Sequence, residues 1–137
     1  MKTFVERLHK GSDLKLEIKR IAEVNHFSAA CIINAVGSLS KIIIRTDVKD
    51  GNPVIKEYGK VEIVSLIGTI GKDGGHLHIH ISGGQKNGIV VGGHLVEGCI
   101  VHTTVELMFL VMDEKEFLTE LDQKTGFDEL VVNEIKS

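Results

Sequence analysis

Between Ser12 and Asn25 the apolar residues Leu14, Ile18, Ile21 and Ala22 recur at helical spacing and gather into one stripe. Ser12 is placed to cap this helix, and Asp13 suits its positive amino end. Beyond Ala29 the period shortens. Alternating or β-branched runs predict strands over Ala29–Val36, Lys41–Val48, Val54–Tyr58, Val61–Ile70, Leu77–Ile81, Ile89–Val96 and Ile100–Met112. The connections Asp50-Gly51-Asn52-Pro53, Ser82 to Gly88 and Glu97-Gly98 are too short for crossover helices, so neighbouring strands must turn back on themselves. From Lys115 onward, Phe117, Leu118, Leu121, Phe127 and Leu130 among charges predict a short helix and then an irregular or strand-like end. With no repeat, linker or low-complexity tract, the expectation is one α/β (α+β) domain over residues 1–137. Its mostly antiparallel sheet would be covered by the N-terminal helix.

Composition narrows what such a domain can do. At 137 residues and 42% hydrophobic content the chain can bury a core unaided, so a bound metal would serve function rather than folding. A net charge of −3 without a long basic run is a poor footprint for gripping phosphate backbones, and 4% aromatics with no Trp offers little for base stacking. Direct DNA binding is therefore disfavoured. Cys31 and Cys99 lie far apart among apolar neighbours and read as small buried hydrophobes in a reducing compartment. The opening MKTFVERLHKGSDLK has no apolar signal region, and no stretch approaches the roughly 18 apolar residues of a membrane span. These features predict a cytoplasmic protein that does not enter membranes.

Candidate chemistry is concentrated in one segment. Five of the seven histidines, His76, His78, His80, His94 and His102, fall within 27 residues, and ten of the fifteen glycines lie between Gly68 and Gly98. Alternation along Gly75-His76-Leu77-His78-Ile79-His80 sets three imidazoles on one face of a strand and apolar residues on the other. Residues two apart on that face are separated by about 7 Å, whereas His76 and His80 are about 13 Å apart, too far to share an ion easily. A hairpin with loop residues 83–87 would pair position i with 170 − i, setting His94 opposite His76 and Gly92 opposite His78. His76, His78 and His94 could then converge on one metal ion, with Gly92 and Gly93 leaving space for water or a ligand. Three nitrogens and an open position is the catalytic zinc pattern. In this register His80 is a bystander. The other reading makes the histidines strand residues hydrogen-bonded across a subunit contact.

Glu106 lies within the apolar strand Thr103-Thr104-Val105-Glu106-Leu107-Met108-Phe109, where a buried carboxylate would need a partner. It could be a general acid or base, an acceptor for a ligating imidazole, or half of a structural ion pair. The GxxxxGK[ST], GxGxxG, CxxC and GxSxG motifs are all absent.

The segments Ile33-Asn34-Ala35-Val36-Gly37-Ser38-Leu39-Ser40, Val61 to Ile70, His76-Leu77-His78 and Gly92-Gly93-His94-Leu95 together resemble the PPC (plant and prokaryote conserved) domain family. The resemblance runs in order from about Phe4 to Leu130. It implies a homotrimer with a central antiparallel sheet and kinship in fold with acetolactate decarboxylase, a zinc enzyme with histidine ligands. By position, the family's HLH and GGHL motifs fall on His76, His78 and His94. Plant members contact DNA through an Arg-Gly-Arg-Pro hook, which this chain lacks. The leading expectation is a trimeric zinc-binding domain that binds or transforms a small ligand. The alternatives are a regulatory domain that contacts DNA or protein partners without catalysis, and a lyase using Glu106 as acid or base.

Overall fold

The structure, a computed structural model, describes residues 1–136. Its elements run β1 (Lys2–His9), α1 (Leu14–Val24), β2 (Ala30–Lys49), β3 (Asn52–Tyr58), β4 (Val61–Ile70), β5 (Leu77–Gly84), β6 (Val90–Leu95), β7 (Ile100–Val111), β8 (Lys115–Leu121) and β9 (Asp128–Glu134). A 3₁₀ turn at Lys72–Gly74 links β4 to β5. The main sheet has the order β1-β7-β2-β4-β5-β6 with β3 on β2, and its strand pairs are antiparallel. It also closes on itself, because β6 pairs with the far end of β2 as well as with β5. An α+β architecture therefore holds.

The expected helical stripe of α1 is fully buried at Leu14, Ile18, Ile21 and Ala22, against a core that includes Leu66, Ile79, Val105 and Leu107. Beyond its end Phe27 packs edge-on against Phe4 and Phe109, at ring-centroid distances of 5.6 and 5.7 Å. The cap is Asp13 rather than Ser12. Its Oδ1 accepts the Leu16 amide at 3.1 Å, and its Oδ2 accepts the Gly98 amide at 2.8 Å. A carboxylate with two oxygens can cap the helix and tie it to the β6–β7 turn together; a serine hydroxyl here could not do both so readily.

Three expectations are corrected. The two strands anticipated over Ala29–Val36 and Lys41–Val48 are one twenty-residue strand, β2, whose register shifts at Ile32/Asn34, Gly37/Leu39 and Leu39/Lys41 absorb the small residues read as a break. At Gly37 a side chain would meet the Thr104 carbonyl oxygen at 2.2 Å, so the glycine serves strand-to-strand approach rather than a turn. Strand β1 was not anticipated: only Phe4 and Leu8 mark its inner side, with Glu6 between them. The tail is the hairpin β8–β9: strand β8 stands where a short helix was expected, the strand-like end is β9, and the turn is made by Asp122, whose Oδ1 accepts the Lys124 amide at 2.7 Å, and by Gly126 at φ 77°.

No helix among the described residues is long and apolar enough to cross a membrane. Cys31 and Cys99 are both free thiols; Cys99 is buried and Cys31 half-buried.

Candidate metal centre

The hairpin β5–β6 carries the histidines, and its register decides which of them meet. Gly84 pairs with Val90, Ser82 with Gly92, Ile81 with Gly93 and His80 with His94. The turn thus lies two residues later than expected. Gly88 at φ 84° closes it, donating its amide to the Gln85 carbonyl at 2.8 Å, while the Gln85 amide bonds the Ile89 carbonyl at 2.9 Å. This three-residue loop ending in a left-handed glycine is a common hairpin form. Because the displacement moves each partner by an even number of positions, His94 keeps its face and changes its partner from His76 to His80.

The structure consequently brings together His78, His80 and His94, with one donor atom from each lying within 4.8 Å of the others. The His80 and His94 rings stand 5.5 Å apart, His78 and His94 5.7 Å, and His78 and His80 5.2 Å. His76 lies outside the group. Its ring is 6.2 Å from that of His78, and it lines a different cleft against α1 with Lys15, Lys19 and Glu97. His80, read from sequence as a bystander, is a central member of the cluster. Two signals could have found it: Asn87-Gly88, a strong turn dipeptide, and the His-x-His spacing, which occurs in two overlapping frames and fits the second as well as the first.

A cross-strand row sets the site. Ile67 of β4 pairs with His80 of β5, His80 with His94 of β6, and His94 with Arg45 of β2. Directly opposed residues share a face with Cα atoms roughly 4.5–5.5 Å apart, so Arg45 stands beside the imidazoles. The neighbouring row is small: Ser65 opposes Ser82, their hydroxyls 2.7 Å apart, and Ser82 opposes Gly92. Between the tall row and the short one lies an open cleft of about 520 Å³ lined by all three clustered histidines and by Arg45, Ser65 and Ser82.

Gly92 and Gly93 border this cleft, in keeping with the space expected of them, but Gly93 has a second task. A Cβ there would stand 2.7 Å from the Arg45 carbonyl oxygen, so its absence lets β2 close against β6. Burial, and secondarily the charge of Arg45, lower the His94 pKa from 6.5 to about 4, with His80, His78 and Lys15 adding to the effect. His94 is therefore a neutral imidazole at physiological pH, the form that offers a lone pair to a metal.

Glu106 is exposed rather than buried. It faces Arg7 on one side and Val36 on the other, whereas the histidine row meets β2 at Arg45, so the structure does not bring Glu106 to the histidines. Solvent removes the need for a partner that a buried carboxylate would have. His102 on β7 is half-buried and is likewise not part of the cluster.

An antiparallel sheet closed on itself, with His80, His94 and Arg45 along one cross-strand row and His78 beside them, defines a small α+β domain with a histidine cluster on one face of its sheet. The Plants and Prokaryotes Conserved (PCC) domain family model matches residues 1–113. The chain belongs to that family, the one its motifs resemble.

Among curated proteins it is 34% identical over 135 residues to the bifunctional protein GlmU of Synechococcus sp. strain JA-2-3B'a(2-13), covering 98% of this chain and 21% of that protein. The chain thus spans about a fifth of the length of this relative. A hypothetical protein of known structure from Salmonella enterica superposes with a TM-score of 0.89 at 27% identity, covering 97% of this chain and 94% of that one. A metal-containing protein from Archaeoglobus fulgidus gives a TM-score of 0.81 at 28% identity, covering 96% and 94%. A proposed DNA-binding protein from Bacteroides thetaiotaomicron shares the fold at 17% identity, with a TM-score of 0.84 over 94% and 91% of the two chains.

Proposed function

We propose that this protein is a divalent-metal-binding domain, zinc being the expected ion, which uses His78, His80 and His94 to hold the metal and binds or transforms a small ligand in the adjoining cleft. The observation that carries this reading is the pairing of His80 with His94, which gathers three imidazole donors within 4.8 Å of one another. Tetrahedral zinc at Zn–N distances of about 2.0–2.1 Å needs its nitrogens about 3.3–3.4 Å apart, a closure within reach of small side-chain rotations. Three imidazole nitrogens from one hairpin, open to a cleft on one side, suit an ion that keeps a position for an exogenous ligand. Zinc held there would supply a Lewis acid. The similar Archaeoglobus protein being metal-containing agrees with this reading.

The same reading includes a homotrimer, as the family resemblance implies. The sheet face that bears the histidines also exposes apolar residues: Val5 is 62% accessible, Val36 53% and Ile67 60%. Exposed apolar residues on one face of a small domain favour burial against further copies.

The test is metal analysis of protein purified without chelators, beside a His78→Ala variant. About one zinc per chain in the wild type and a large loss in the variant is the expected result. A wild type that carries no metal and takes up none on dialysis against zinc would overturn the reading. DNA titration at low salt tests the nucleic-acid version of the regulatory alternative, for which salt-sensitive binding is required.

A further inference from the structure

Arg45 is half-buried, directly opposes His94, and enters none of the ion pairs among the described residues. A guanidinium held at the wall of a cleft without a carboxylate partner retains its full capacity for an incoming anion. We infer that Arg45 is an anion-recognition residue, and that the cleft beside the histidines takes a small-molecule carboxylate whose carboxyl group pairs with its guanidinium.

Four features of the site support this assignment. The cross-strand row places Arg45 one strand from His94 and two from His80, so a small ligand reaching the imidazoles from the cleft has its far end at the guanidinium. The short row of Ser65, Ser82 and Gly92 provides the room, and its paired hydroxyls offer hydrogen bonds to a polar ligand. At about 520 Å³ the cleft suits a small metabolite rather than a polymer. Asp47 also lines it and points one oxygen at the Val48 amide at 2.7 Å; its negative charge favours a singly charged carboxylate over a dianionic phosphate. A planar carboxylate also matches the two-pronged geometry of a guanidinium.

This inference rests on the metal reading only for what the other end of the ligand meets, and the test separates the two. Zinc content is measured first. Zinc-loaded and metal-free protein are then titrated calorimetrically with pyruvate and lactate, with lactamide as the neutral counterpart and with inorganic phosphate. The same titrations are run on R45Q and R45K, after thermal unfolding has established that each is folded.

The expected result is carboxylate binding by the wild type, at least about tenfold weaker in R45Q and partly recovered in R45K, with zinc content and lactamide affinity unchanged. Carboxylate binding that disappears in R45Q although the wild type holds no zinc would keep this inference and discard the metal reading. No carboxylate binding by either form of the wild type would overturn it. Equal affinity in R45Q and wild type, or tighter binding of phosphate than of carboxylate, would do the same.

Discussion

Replacing His80 with alanine should weaken zinc binding far more than replacing His76, although sequence spacing alone ranks the two the other way. The geometry sets the magnitude. His80 stands opposite His94 with rings 5.5 Å apart, and its donor lies within 4.8 Å of both partners, so His80→Ala leaves two imidazoles where three converged. Loss of a mere outer hydrogen-bond partner costs about 10–100-fold in metal affinity. Loss of a donor should reach or exceed the upper end, at least about 100-fold, or ~2.7 kcal/mol. His76 lines the cleft against α1, so His76→Ala should shift affinity by less than about threefold, ~0.7 kcal/mol. Competition with a chromophoric zinc chelator measures both constants in one format. Equal losses in the two variants, or an unchanged affinity in His80→Ala, would refute the reasoning from register.

Other consequences follow from individual residues. Because burial and then Arg45 hold the His94 pKa near 4, below its ordinary 6.5, the native state carries fewer protons than the unfolded chain between those values. The stabilising contribution is complete above pH 6.5 and lost as the pH falls toward 4, so His94→Gln should flatten the acid slope of Tm in metal-free protein; an unchanged slope would count against it. Gly68→Ala would set a Cβ 2.2 Å from the His78 carbonyl oxygen, forcing β4 from β5 at a cost of about 1–3 kcal/mol or more in urea unfolding. Val36→Lys, on the exposed apolar face, should convert an oligomer to monomer in sedimentation velocity, and a monomeric wild type would remove the trimer from the proposal. Burial raises the Cys99 thiol pKa, so native protein should be alkylated at half-buried Cys31 well before Cys99, as peptide mass mapping would read.

Much of the fold could be read from the chain because it depends on local periodicity. The stripe Leu14, Ile18, Ile21 and Ala22 is the buried face of α1, and strands β4 and β7 fall where the apolar runs place them. Where two local signals conflicted, the reading failed. The residues between Val36 and Lys41 read as a gap between two strands but lie in one continuous strand, and the start of the charged tail reads as a short helix while Asp122 and Gly126 turn it into a hairpin. Intrinsic preference is a weak guide when a neighbouring strand supplies the hydrogen bonds.

The site divides along the same line. Alternation with a period of two set His76, His78 and His80 on one face from sequence alone, and His94 joins that face in any hairpin register displaced by an even number of positions. It could not determine which imidazoles meet, since that depends on the turn at Gly88, where a slip of two residues exchanges His76 for His80. Nor could it bring Arg45 to His94. Forty-nine positions separate them, and only the closure of β6 onto β2, permitted by the missing side chain of Gly93, makes them neighbours. A local pattern fixes the side of a strand on which a residue stands, while its partner is chosen by hydrogen bonds between distant segments, which only the assembled sheet contains.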